Sequence, residues 1–241
     1  SIGDIELFAL ARPSLPRHKV VGITGTNGKS TSTALVHHVL DLAGMPARMG
    51  GNIGLPILAQ DPLAEGGVYV LELSSYQIDL TGSLDCEAAA LTNITPDHLD
   101  RYSGFEAYAA SKARLFAMQD ERRFAVFGCE DAPTRAIYTE QALRRAPGRV
   151  TCADLAALRH RQAGWLGLKG PHNLQNAAIA AAAAAERGSY DGLFGAGVAT
   201  YRGLPHRMEL LGGSGAITFV NARLTEILGG HYRVWSFVEW G

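Results

Sequence analysis

Charge is what this sequence has little of. Only 19% of its 241 residues are charged, against the usual ~25%, and the net charge is −1 with no long run of one sign. A nucleic-acid surface needs a basic patch or stripe, and none is visible, so no nucleic-acid partner is expected. No stretch of about 18 consecutive apolar residues exists, so no membrane span is expected. The apolar stretch 177–185 is short and alanine-rich, which suits a packed helix. No secretory leader is expected, and a cytoplasmic location is the default expectation. Cysteine is scarce too. Cys86, Cys129 and Cys152 are odd in number and widely spaced. They match neither a disulfide framework nor a metal pattern, and each is expected to be a small core residue. Internal repeats and low-complexity linkers are also missing. What is present is 47% hydrophobic residues, over a length that holds one large domain or two small ones with a good core.

The most informative segment is Gly25-Thr26-Asn27-Gly28-Lys29-Ser30. It follows the apolar run Lys19–Thr24, which reads as a buried strand, and precedes 31–43, which reads as a helix. A glycine-rich turn between strand and helix brings backbone N–H groups close to phosphate oxygens. The helix N-terminus adds its partial positive charge. Lys29 can reach the β- and γ-phosphates, and the Ser30 hydroxyl can bind Mg²⁺. These features point to ATP. The match to the phosphate-loop pattern is incomplete, since the glycine wanted five residues before Gly28 is replaced by Ile23. The plainer alternative is a Gly/Ser-rich turn with a solvated lysine.

Strand-like apolar runs alternate with helical ones. Val68-Tyr69-Val70-Leu71-Glu72-Leu73, Ala88-Ala89-Ala90-Leu91-Thr92-Asn93 and Phe124-Ala125-Val126-Phe127 read as buried strands. Helices are expected over 105–118 and 132–145. Trp165-Leu166-Gly167-Leu168 is a further strand candidate. Pro171 then opens a long helix over 172–187, with proline tolerated in the first turn, and another is expected over 191–201. The fold class is therefore α/β, a mostly parallel sheet with helices on both faces. Residues 1–18, with Pro13 and Pro16, read as a connector. Ligands in this class sit at the carboxyl ends of the strands. Polar residues gather there: Thr24 onward, Glu72-Leu73-Ser74-Ser75, and Asn93-Ile94-Thr95-Pro96-Asp97-His98.

The loop resembles the ATP loop of the Mur ligases and of their folylpolyglutamate synthetase relatives. Four further segments carry the likeness: Gly50-Gly51-Asn52-Ile53-Gly54-Leu55-Pro56, Leu71-Glu72-Leu73-Ser74-Ser75-Tyr76-Gln77, Asn93 to Tyr102, and Gly203-Leu204-Pro205-His206-Arg207. It extends from about residue 1 to 221. The second segment discriminates best among the sister ligases. The folylpolyglutamate synthetases usually carry an extra glycine between the loop lysine and serine, absent here, which leaves them as the alternative. Within the Mur family the segments resemble the ligase that joins D-glutamate to UDP-N-acetylmuramoyl-L-alanine in peptidoglycan synthesis. The resemblance implies a phosphate-loop-type central domain and ATP-dependent amide formation through an acyl phosphate, with two Mg²⁺. Such chemistry needs positioning and charge neutralisation more than covalent catalysis.

The resemblance also implies residue roles. Gly25, Thr26, Asn27, Gly28, Lys29, Ser30 and Thr31 hold the phosphates. Ser30 and Glu72 hold the first Mg²⁺; otherwise Glu72 is a surface salt-bridge residue, which a charge closing an apolar run disfavours. His98 and Lys112, the latter as a carbamate formed with CO₂, belong to the second Mg²⁺. Taken alone, His98 is structural or solvated and Lys112 a helix lysine with a snorkelling stem. Lys29, His98 and Lys112 form the catalytic set. Asn52 and Ser74 serve the substrate or phosphate region, although Asn in a tight turn is common. Asn173 and Asn176, at i and i+3 on one helix face, match adenine-side contacts, unless Asn173 only caps the helix. Arg207 matches an arginine near the phosphates.

The same likeness implies that residues 1–18 end an N-terminal UDP-binding domain and its linker, that 19–211 form the ATP-binding domain, and that 212–241 begin a C-terminal domain. After Asn221 the Asp-Ser-Lys expected there is missing and nothing to Gly241 matches. A frame change or a divergent tail would account for this. The chain is expected to be a monomer and, by itself, neither to bind the UDP-sugar tightly nor to turn over. A truncated, non-catalytic nucleotide-binding module is the competing reading from outside enzymes.

Overall fold

The structure, a computed structural model, describes residues 2–97, 100–185, 191–204, 209–214 and 217–221. Six parallel strands form the main sheet: β1 (Lys19–Thr24), β2 (Ala47–Gly51), β3 (Val68–Glu72), β4 (Ala88–Leu91), β5 (Phe124–Phe127) and β6 (Val150–Cys152). Their order is β2-β3-β1-β4-β5-β6. The helices are α1 (Asp4–Ala11), α2 (Lys29–Leu42), α3 (Ser75–Asp79), α4 (Phe105–Ala117), α5 (Ala132–Arg144), α6 (Leu155–Arg159), α7 (Pro171–Ala185) and α8 (Asp191–Thr200). A separate antiparallel pair, β7 (Glu209–Ser214) and β8 (Ile217–Asn221), follows them.

The strands read as unbroken apolar runs because both sheet faces are covered. Side chains alternate between two cores. Val21, Ile23, Val68, Val70, Ala88, Ala90 and Val126 face a cluster completed by Leu35 and Val39 of α2, Leu174 and Ile179 of α7, and Phe194 and Val198 of α8. Val20, Tyr69, Leu71, Ala89, Leu91 and Phe127 face the other cluster, with Phe8 of α1, Ile78 of α3 and Leu115 and Phe116 of α4. The connector expected over 1–18 thus contains a helix whose Ile5 and Phe8 are buried in this second core. Glu6 of α1 accepts bonds from the Gly82 and Ser83 amides and the Ser83 hydroxyl.

Two expectations are corrected. Trp165-Leu166-Gly167-Leu168 is not a strand. Trp165 and Leu168 are buried, without regular structure, in the core cluster shared with α2, α7 and α8, and Gly167 packs directly on the backbone of Arg202 and Gly203. Cys129 and Cys152 are not independent core residues but form a disulfide. Strands β5 and β6 are neighbours with Phe127 opposite Cys152, so Cys129, two residues past the end of β5, comes alongside. Their separation of 23 residues gives no hint of this in the sequence. Cys86 is fully buried with a free thiol, and burial pushes that thiol's pKa up. Among the described residues no helix is long and apolar enough to cross a membrane.

Candidate functional site

The central strand β1 lies between β3 and β4, so successive connections leave the sheet in opposite directions around it. The crevice at its carboxyl end is where such sheets bind ligands. The loop 25–28 crosses that crevice into α2. Gly28, the residue before the helix, has φ 85° and offers no side-chain cap. First-turn N–H groups lack intrahelical partners, and here they face the crevice with the helix dipole behind them. A side chain at Gly28 would strike Asn176 Oδ1, so close packing of α7 on the loop requires glycine. Lys29 Nζ donates to the Thr26 carbonyl at 2.8 Å, folded over the loop. Ser30 is buried in the first turn of α2.

Glu72 closes β3 in register with Ile23 of β1 and Gly51 of β2, and is 2% exposed. Its Oε1 accepts a bond from Asn52 Nδ2 at 3.0 Å. Its Oε2 is buried without a partner among the described residues. Gly51 permits this arrangement: at φ 88° its missing Cβ leaves room for the Glu72 carbonyl, and the Asn52 amide donates to that carbonyl at 2.8 Å. Asn52, expected near the phosphate or substrate, therefore orients a carboxylate. Ser74 caps α3 through a reciprocal box with Gln77, which engages its hydroxyl locally.

Lys112 projects from α4 and is 2% exposed. Its Nζ donates to the Gly25 carbonyl at 2.9 Å and lies 4.5 Å from the centre of the Tyr108 ring. Burial, reinforced by the nearby Lys29 charge, lowers its pKa to about 7. The two lysines thus approach the same loop from opposite elements. Tyr108, also on α4, shares a 3.1 Å hydrogen bond with Thr26 Oγ1, and burial pushes its phenol up to about 12.

Asn173 and Asn176 are buried near the start of α7. Asn176 Nδ2 donates to Asn173 Oδ1 at 3.1 Å, and Asn173 Nδ2 to the Lys169 carbonyl at 2.9 Å. Asn173 is therefore a member of a side-chain chain behind the loop, not an acceptor that caps the helix. His98 and Arg207 lie outside the described residues. Sequence reasoning missed Thr92, Asn93, Tyr108 and Gln175 as loop supports. Gln175 Nε2 donates to the Thr92 carbonyl at 3.0 Å, and Thr92 Oγ1 to the Asn27 carbonyl at 2.7 Å. The cluster of polar residues after β4 was the available signal for two of the four.

Among the described residues, no group of three or more His, Cys, Asp or Glu is arranged to hold a metal. A hard cation shared with a nucleotide does not require one, because phosphate oxygens and water fill most of its shell. The unpartnered Glu72 Oε2 fits a Mg²⁺ held in that way.

Comparison with known proteins agrees with this geometry. The family model described as the Mur ligase middle domain matches residues 23–157, more than half the chain. A relative from Novosphingobium aromaticivorans named UDP-N-acetylmuramoylalanine--D-glutamate ligase is 60% identical over 91% of this chain and 49% of its own length. The chain spans about half the length of the curated relatives it matches. Among solved structures, MurF from Acinetobacter baumannii aligns with TM-score 0.68 and 18% identity over 89% of this chain and 52% of that one. MurF ligase from Thermotoga maritima, crystallised with ADP, aligns with TM-score 0.64 and 15% identity over 90% and 56%. The phosphate loop, the buried carboxylate at the end of β3, the parallel α/β sheet and the matching family model together place the chain in the Mur ligase family.

Proposed function

We propose that residues 19–211 form the ATP-binding central domain of a ligase that joins D-glutamate to UDP-N-acetylmuramoyl-L-alanine. The observation that carries this reading is Glu72: a buried carboxylate with one oxygen unpartnered among the described residues, in register with the strand that ends in the phosphate loop. The acceptor and donor identities rest on the 60% identical relative and its name; the nucleotide rests on the loop.

Ser30 and Glu72 would hold Mg²⁺, which supplies charge neutralisation on the phosphates. Lys29 moves from the Thr26 carbonyl to the β- and γ-phosphates, and the first turn of α2 donates its free N–H groups to them. Asn173 and Asn176 serve the adenine side, and Arg207 the phosphates. The substrate carboxylate oxygen attacks the γ-phosphorus, the bond to ADP breaks, and an acyl phosphate forms. The D-glutamate amine then attacks the acyl carbon, losing a proton as inorganic phosphate leaves. The protein's contribution is to hold these groups in line and in a water-poor crevice. Lys112, with His98, would help hold a second Mg²⁺ after its neutral amine adds to CO₂ and loses a proton, giving a carbamate. A lysine whose pKa lies about 7 is a neutral amine at neutral pH about half the time.

The reading is tested in two steps. The 241-residue chain is expected to bind ATP only with Mg²⁺, with Glu72→Gln weakening binding on the order of tenfold; Mg²⁺-independent binding would refute the metal role. A chimera in which this chain replaces the matching stretch of the Novosphingobium relative is expected to release phosphate only with UDP-N-acetylmuramoyl-L-alanine and D-glutamate together. Release with another acceptor in place of D-glutamate would overturn the assignment. With ¹³C-bicarbonate, a carbamyl resonance is expected in the wild type and not in Lys112→Met.

A further inference from the structure

A phosphate loop flanked by Gly25 and Gly28, with φ of 145° and 85°, is held locally at the Thr26 carbonyl by Lys29 Nζ, which leaves the N–H and C=O of Asn27 to be held from elsewhere. Something outside the loop must set its shape. The segment after β4 does so at Thr26 and Asn27. The Asn27 N–H donates to Asn93 Oδ1 at 2.9 Å, while Asn93 Nδ2 donates back to the Asn27 carbonyl at 3.0 Å. One side-chain amide thus closes a two-bond ring on one backbone unit, as a neighbouring strand would. The pairing fixes the amide's orientation, because turning it over would set donor against donor and acceptor against acceptor. The Thr26 N–H donates to the Asn93 carbonyl at 2.8 Å, and the Thr95 N–H to Thr26 Oγ1 at 3.1 Å.

We propose that Asn93 is a positioning residue of the phosphate loop, its amide clamping the N–H and C=O of Asn27 so that the loop holds its anion-binding shape before nucleotide arrives. This rests on the nucleotide reading above. The clamp holds the Asn27 carbonyl, an oxygen that would repel phosphate, against Asn93 and Thr92. The amides left for the anion are those following Gly28, at the start of α2. Gln175 of α7 grips the Thr92 carbonyl, so the clamp is braced from the same helix that carries Asn173 and Asn176. Pre-organised donors bind an anion without first ordering the loop.

Two measurements test the clamp. In the wild type without ligand, Asn27 is an exposed residue, yet its amide is expected to resist hydrogen exchange because it is bonded to Asn93. Exchange at the rate of an unstructured amide would overturn the proposal whatever any variant does. Asn93→Ala is expected to lose about tenfold in affinity for ADP and ATP with Mg²⁺, to keep its affinity for adenosine, which has no phosphate, and to gain fast exchange at Asn27. Equal losses for adenosine and ADP would mean general damage and overturn a role specific to the phosphates, as would unchanged ADP binding. Failure of the wild type to bind ADP or ATP would instead refute the nucleotide reading, and the exchange measurement would still decide whether the clamp exists.

Discussion

Burying the ammonium of Lys112 should make the protein's stability depend on pH in a way that one substitution removes. The side chain is 2% exposed, and its pKa falls from 10.5 to about 7, chiefly through burial and secondarily through Lys29. At about 1.36 kcal/mol per unit, the charged form costs roughly 5 kcal/mol in the folded state when both states are protonated. The folded pKa is the lower one, so between it and 10.5 the unfolded chain binds more protons and stability rises with pH. Below about pH 7 the full cost is present. Between about pH 6 and about pH 9 the wild type should gain roughly 2–3 kcal/mol from this group alone. Lys112→Met fills similar space without a titrating group. Urea denaturation of both proteins at the two pH values, in CO₂-free buffer, gives the difference of differences, from which other titrating groups cancel. The variant is expected to be the more stable at low pH, with its advantage shrinking by that amount at high pH. A gap that does not move with pH would refute the buried, proton-poor lysine, and with it the neutral amine on which carbamate formation depends.

Other consequences are as direct. Gly28→Ala drives a Cβ into Asn176 Oδ1 at φ 85° and should cost about 1–3 kcal/mol in thermal unfolding while abolishing ATP binding; retained binding would show that α7 yields. Glu6→Ala strips the Gly82 and Ser83 amides of their acceptor and should destabilise by about 1–3 kcal/mol. The Gly82 amide bond is the largest influence on the Glu6 pKa, which is lowered. Its stabilisation is therefore present above the ordinary glutamate pKa and lost as pH falls through the folded value, so acid melts of wild type and Glu6→Ala should converge. Reducing the Cys129–Cys152 disulfide, which closes a separation of 23 residues, should cost about 3 kcal/mol by loop entropy, or roughly 6–12 °C in Tm. An unchanged Tm in reductant would show that the surrounding sheet already fixes the two ends.

The strands that were legible are the interior ones. Positions 20, 21, 23, 68–71, 88–91 and 125–127 are apolar on both faces because helices cover both, and that condition writes itself into the sequence as unbroken runs. Strands β2 and β6 lie at the two sheet edges. One is Ala47–Gly51, half-exposed and ending in two glycines, and the other has only three residues, Val150–Cys152. Neither carries enough buried surface to mark itself. Trp165 and Leu168 show the converse error. Their burial is genuine, but they fill the core shared by α2, α7 and α8 without joining the sheet, so hydrophobicity alone could not say strand.

The site divides along a different line. Residues that meet the loop through local geometry, such as Lys29 and Ser30, or that end a strand beside it, such as Glu72, follow from a strand–loop–helix pattern and the rule that ligands gather at strand carboxyl ends. The supports do not. Asn93 reaches Asn27 across 66 residues, Tyr108 reaches Thr26 across 82, and Gln175 reaches Thr92 across 83. Each is an ordinary polar residue until the sheet order brings β4 beside β1 and lays α7 behind them. Asn52 makes the same point from the other side: the sequence places an asparagine in a glycine-rich turn, and only the pairing of β2 with β3 reveals that its amide is aimed at Glu72. The chemistry of such a site is therefore written in short motifs, while its rigidity comes from long-range pairs. Substituting Asn93 should leave Lys29, Ser30 and Glu72 in the sequence and still weaken what they do.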